Sequence, residues 1–173
     1  MTATSNETDE TLLSKIERLG ILCKQKNLQI GTAESCTGGL LAAALTGVSG
    51  ASGWFMGGVV SYALSVKESL LGVSHDVLAA NGPVSAPVAE AMARGALHAI
   101  GCELALSTTG QAGPEPDGLS PEPIGTVYFG WADASGSGFE RCTFPGNRAA
   151  VRNAAVRKAV DLLLERLSSP PSR

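Results

Sequence analysis

The 173-residue chain is 44% hydrophobic, which suits one compact domain spanning 1–173 with a sizeable core at about 10–167. Its formal charge of -3, from 13 Lys plus Arg against 16 Asp plus Glu, offers no broad basic surface for tracking a nucleic-acid backbone. The first ten residues are polar and acidic, without a basic segment leading into an apolar one, so no secretory signal is visible and no membrane association is expected; the expected location is the cytoplasm.

After the polar start, Leu12, Leu13, Ile16, Leu19 and Leu22 recur at helical spacing and predict an amphipathic helix to about Lys26. An apolar run from Leu28 through Ile30 predicts a strand, and residues 40–45 a helix. Residues 54–62 read as a buried strand and 65–71 as a short helix stopped by Gly72. Residues 85–100 predict a helix with a capping Ser85, Pro87 in its first turn and an apolar stripe of Val88, Met92, Ala96 and Ile100. Residues 103–108 predict another strand, followed by a Gly- and Pro-rich loop at 109–123, long enough to call for a functional reason. Residues 124–131 and 139–144 predict an antiparallel hairpin, 148–167 a final helix, and 168–173 a frayed tail. Alternating helices and strands imply a three-layer α/β/α domain. The late hairpin makes its sheet mixed, though mostly parallel.

Ligands in such sheets gather at the carboxyl ends of strands. Three predicted strand ends bring Ser35, Tyr62 and Thr109 toward one cleft. Residues 32–39, Thr-Ala-Glu-Ser-Cys-Thr-Gly-Gly, join a strand to a helix through small hydroxyl residues and two glycines. Such a turn exposes backbone N–H groups able to bind an anion or an oxyanion, with Ser35 beside them. Ser35 or Thr37 as a simple helix cap is the alternative. Cys36 is a second nucleophile candidate at the same helix start. Glu34 could serve as a base, but an acid beside a helix N-terminus is stabilising for dipole reasons alone. Cys23, Cys36, Cys102 and Cys142 lie far apart and read as free thiols, and His75 and His98 lack metal-motif spacing, so no metal site is expected.

Five segments together, residues 32–39, 57–67 with 70–73, 82–95, 109–114 and 123–130, resemble the CinA C-terminal domain family over about 12–167. The resemblance implies an amidohydrolase that removes ammonia from the carboxamide of nicotinamide mononucleotide, a small-molecule nucleotide substrate, with no cofactor. It maps the nucleophile onto Ser35, its partners onto Tyr62 and Lys67, a loop threonine onto Thr109 and a basic residue onto Arg148. A serine hydroxyl needs a proton acceptor, and a lysine serves only with a depressed pKa. Burial near the Arg148 cation would supply that depression. Tyr62 would relay the proton or orient Lys67, and N–H groups after Ser35, with Thr109, would hold the oxyanion. The phosphate would bind at the helix start of Thr37, Gly38 and Gly39, or at Arg148. A homo-oligomer is also expected. The chain departs from the family at Ala63 and Leu64, where polar residues are usual, and in the acidic loop of Glu115 and Asp117.

Two rival classes make different demands on the sequence. A nicotinamide-cofactor oxidoreductase using Ser, Tyr and Lys needs Tyr and Lys four apart on one helix face, whereas Tyr62 and Lys67 are five apart, and no GxGxxG follows the first strand. A non-catalytic nucleotide-binding or scaffold domain linked to competence or DNA damage would keep the glycine turns without an activated serine.

Overall fold

The computed structural model describes residues 10–168. The expectations for the first nine residues and for the tail beyond 168 lie outside them. The amphipathic helix α1 is Leu12–Lys26, opened by the Thr11 hydroxyl accepting from the Ser14 N–H and closed at left-handed Asn27. β1 (Ile30–Glu34) starts where the predicted strand ends and carries on through Thr32 into Glu34, all five residues buried. α2 (Leu40–Thr46) follows, then a short 3-10 turn and β2 (Phe55–Val60).

Beyond β2 come α3 (Leu64–Leu71), closed at left-handed Gly72, and α4 (His75–Asn81). The sequence reading did not anticipate α4, because seven residues are too few for periodicity to register. α5 (Ala86–Ile100) has Ser85 as its boundary residue, but the Ser85 hydroxyl donates to the Gly82 carbonyl instead of capping the helix. β3 (Leu104–Gly110), β4 (Thr126–Asp133), β5 (Gly136–Thr143) and α6 (Arg148–Ser168) complete the order. The hairpin turn is tighter than expected, with Asp133 accepting from the Ser135 N–H at its corner.

The strands lie in the order β2-β1-β3-β4-β5, parallel across β2, β1 and β3 and antiparallel at β3 with β4 and β4 with β5. Two pairings of each kind make the sheet mixed, with only β4 running against the rest. On one face α1, α2 and α6 bury Leu19, Leu41, Val160 and Leu163 against Ile30, Leu106 and Phe129. On the other, α5 with α3 and α4 buries Val88, Met92, Leu71 and Leu78 against Ala33 and Ala105. At about 25 cal/mol per Å² of buried apolar surface, these two layers are the main source of stability. Gly95 lets α3 and α5 touch: a Cβ there would lie 1.9 Å from the Leu71 carbonyl oxygen. Among the described residues no helix is long and apolar enough to cross a membrane, and all four cysteines are free.

Candidate active site

Side chains alternate across a strand, so the extension of β1 to Glu34 puts residues 30, 32 and 34 on the face toward α2. Glu34, 1% exposed, turns its carboxylate onto the start of that helix. Its two oxygens accept from the backbone N–H of Gly39 at 2.9 Å, Leu41 at 3.1 Å and Ala42 at 2.8 Å. The helix N-terminus is thus filled by a carboxylate belonging to the protein, and one expectation changes. Neither Ser35 nor Thr37 caps α2, and the Gly39, Leu41 and Ala42 N–H groups already donate to Glu34. Gly38 and Gly39 still matter, because their left-handed φ of 59° and 95° make the turn from strand to helix. Thr37 is fully buried with its hydroxyl 2.8 Å from that of Thr108 on β3.

Ser35 comes next in the chain and faces the opposite way, into a cavity of about 360 Å³. Its N–H donates to Thr108 O at 2.9 Å, which fixes the serine to the end of β3. The end of β2 is joined to the end of β1 by Ser61, whose N–H donates to Glu34 O at 2.8 Å. From the first turn of α3, Lys67 reaches into this junction. Its Nζ donates to Ser35 Oγ at 2.9 Å and, through a second and shorter bond, to the Ser61 carbonyl. Lys67 is 1% exposed and has no carboxylate partner among the described residues. Burial lowers its pKa from 10.5 to about 8, against a weaker opposing influence from Cys36. Burial, not the Arg148 cation, is therefore the source of the depression.

Cys36 lines the same cavity, but burial pushes its thiol up to about 11, so it is neutral at physiological pH and a poor nucleophile.

Tyr62 and Thr109 also border the cavity. The exposed Tyr62 side chain accepts from Arg148 Nη2 at 3.3 Å and makes no hydrogen bond to Lys67, which Ser61 holds instead. Thr109, on the α5 side of β3, donates its hydroxyl to Pro83 O at 2.7 Å, another residue of the cavity wall. Arg148, at the first position of α6, also donates to Gly113 O at 2.9 Å. It stands at the cavity wall, a cation clasped between Tyr62 and the long loop.

Sequence reasoning missed two more residues. Buried Gln111 donates to Asp117 Oδ1 at 3.1 Å and to Ser120 O at 3.2 Å, and accepts from the Asp117 N–H. Asp117 Oδ1 also accepts from the N–H of Leu119 and of Ser120. Its charge is absorbed in shaping the loop, and the only sequence signal here, Gln111 just after a strand with Gly113-Pro114 behind it, marks a turn. Arg152, one turn beyond Arg148, donates to the carbonyls of Cys36 and Thr37.

The profile of the CinA C-terminal domain matches residues 13–167. The chain is 46% identical over 161 residues to a CinA-like protein of Geobacter sulfurreducens, covering 93% of this chain and 38% of that one. It therefore spans little more than a third of the length of that relative. It is 42% identical over 158 residues to the nicotinamide-nucleotide amidohydrolase PncC of Escherichia coli, covering 90% of this chain and 94% of that one. The crystal structure of a CinA superfamily protein from Klebsiella pneumoniae superposes with a TM-score of 0.86 at 33% identity, over 91% of this chain and 98% of that one. With a superposition that close and a profile match over nearly all the described residues, the chain belongs to the CinA C-terminal domain family.

Proposed function

We propose that the chain hydrolyses the carboxamide of nicotinamide mononucleotide, giving nicotinate mononucleotide and ammonia. One observation carries the reading: a buried amine with a pKa of about 8, 2.9 Å from a serine hydroxyl at the rim of a cavity. A scaffold gains nothing from a desolvated lysine without a counterion, whereas a general base needs a pKa near the working pH. The name of the Escherichia coli relative, matched along 94% of its length, supports the substrate.

In this mechanism neutral Lys67 takes the Ser35 proton as Oγ bonds to the carboxamide carbon, and the carbonyl oxygen becomes an oxyanion. The N–H groups of Cys36 and Thr37 donate to no carbonyl among the described residues and are free to meet that charge. Protonated Lys67 then gives its proton to the departing nitrogen, and ammonia leaves an ester on Ser35. Water, deprotonated by Lys67, cleaves the ester and restores the serine. The Ser61 carbonyl orients the amine throughout. The substrate phosphate pairs with Arg148, since the α2 N-terminus is filled by Glu34. Hydrolysis in this form needs no cofactor.

The test is ammonia and nicotinate mononucleotide release by the purified protein with a chelator present. Equimolar products support the reading; the absence of both refutes it.

A further inference from the structure

Arg152 had no role in the sequence reading and does not border the cavity, yet its guanidinium is devoted to the loop that carries Ser35. Nε donates to the Cys36 carbonyl at 3.0 Å and Nη2 to the Thr37 carbonyl at 2.9 Å, across more than a hundred residues of chain. Among the described residues these are its hydrogen bonds, and no carboxylate pairs with it. The guanidinium also lies close against Gly38, where a Cβ would come within 3.2 Å of Nη2.

A guanidinium is a rigid planar fork, so bonds to two successive carbonyls fix the planes of both peptides. In a planar trans peptide the carbonyl and the following N–H point in opposite directions. With the Cys36 carbonyl drawn toward α6, the Thr37 N–H is turned away from that helix. The preceding peptide is held in the same sense, because Ser35 O accepts from the Gly38 N–H at 3.1 Å and so directs the Cys36 N–H the other way. Arg152 thus sets the Thr37 N–H directly, through the Cys36 carbonyl, and the Cys36 N–H one step removed, through the Thr37–Gly38 peptide whose N–H holds Ser35 O.

We propose that Arg152 is a positioning residue, which acts from behind the nucleophile turn to aim the Cys36 and Thr37 N–H groups at the oxyanion without touching substrate. The inference rests on the serine amidohydrolase reading given above. It also separates the two arginines of α6: Arg148 faces the cavity and takes the anionic end of the substrate, while Arg152 shapes the donor pair.

The experiment compares wild type, Ser35→Ala, Arg152→Met and Arg152→Lys in two assays, one of which does not depend on the substrate. The first is steady-state ammonia release from nicotinamide mononucleotide. Loss of an aimed oxyanion donor lowers kcat by about 100-fold in Arg152→Met, with KM held within about 3-fold. Arg152→Lys keeps the charge but cannot bridge two carbonyls, and falls between the two with a kcat about 10-fold down. The second assay is the rate at which a fluorophosphonate probe labels Ser35, followed by mass spectrometry with Ser35→Ala as background. Labelling also builds charge on an oxygen beside Ser35, so it slows at least about 10-fold in Arg152→Met. Folding is checked by circular dichroism, and if Arg152→Met does not fold, Arg152→Lys decides. A folded variant with unchanged kcat and labelling overturns the inference, as does a raised KM at constant kcat, which would make Arg152 a substrate contact. Wild type labelled at Ser35 but inert toward nicotinamide mononucleotide overturns the substrate reading alone, and labelling then judges Arg152. Wild type that is not labelled overturns both.

Discussion

Replacing Lys67 with methionine separates the chemistry of this site from its contribution to stability. Burial lowers the amine from 10.5 to about 8, whereas an unfolded chain keeps its lysines protonated up to about 10.5. Between about pH 8 and 10.5 the folded protein therefore binds fewer protons than the unfolded one. Stability rises with pH across that window, is complete above about 10.5, and is lost as pH falls through about 8. A displacement of about 2.5 pH units at 1.36 kcal/mol each is worth about 3 kcal/mol. Methionine retains the apolar stem but cannot titrate, so its stability curve lacks this rise. The substitution also strips the Ser61 carbonyl of its donor, a roughly constant cost of about 1–3 kcal/mol. The prediction lies in the difference between the curves, from which that constant drops out. Urea unfolding of both proteins from pH 7 to 10 will show the gap moving by up to about 3 kcal/mol in favour of wild type as pH rises. A gap constant within about 0.5 kcal/mol would show that the buried amine is not what titrates. Over the same range wild-type kcat/KM will climb about tenfold per pH unit up to about pH 8 and then level off, and Lys67→Met will be inactive at every pH.

Ser35→Ala will remain folded by circular dichroism but lose turnover by about 1000-fold or more, while Cys36→Ala, which removes a buried neutral thiol, will keep most of it. The reverse pattern would make the enzyme a thiol amidase. Arg148→Met will lower kcat/KM for nicotinamide mononucleotide by about 10- to 100-fold, the worth of one charge-assisted hydrogen bond, and leave nicotinamide riboside unchanged; equal losses on both would remove the phosphate from Arg148. Glu34→Ala leaves three α2 N–H groups without their acceptor and will cost about 3 kcal/mol or more, lowering Tm by about 6–12 °C. An unchanged Tm would mean that water replaces the carboxylate without penalty.

Local chemistry was enough to write down most of the elements. The Leu12 to Leu22 spacing, Gly72 at a left-handed helix end, and the apolar stripe of α5 act within a few residues of themselves, so no knowledge of the fold was required. The turn at Gly38 and Gly39 was legible for the same reason, and with it the exposure of Ser35. What each side chain meets was decided elsewhere, because reach depends on strand parity and on pairing between distant segments. One residue of parity sends Thr108 to Thr37 and Thr109 to Pro83, and four more residues of β1 than expected turn Glu34 onto the start of α2. The pairing of Lys67 with Ser35 needs β2 to lie parallel beside β1, and the clasp of Arg152 needs α6 to return across the sheet from the far end of the chain. Short-range geometry and glycine placement determined, from the sequence alone, that a hydroxyl would stand at a strand-to-helix turn. Only tertiary packing could desolvate a lysine beside it, since burial is a property of the whole fold and not of any segment.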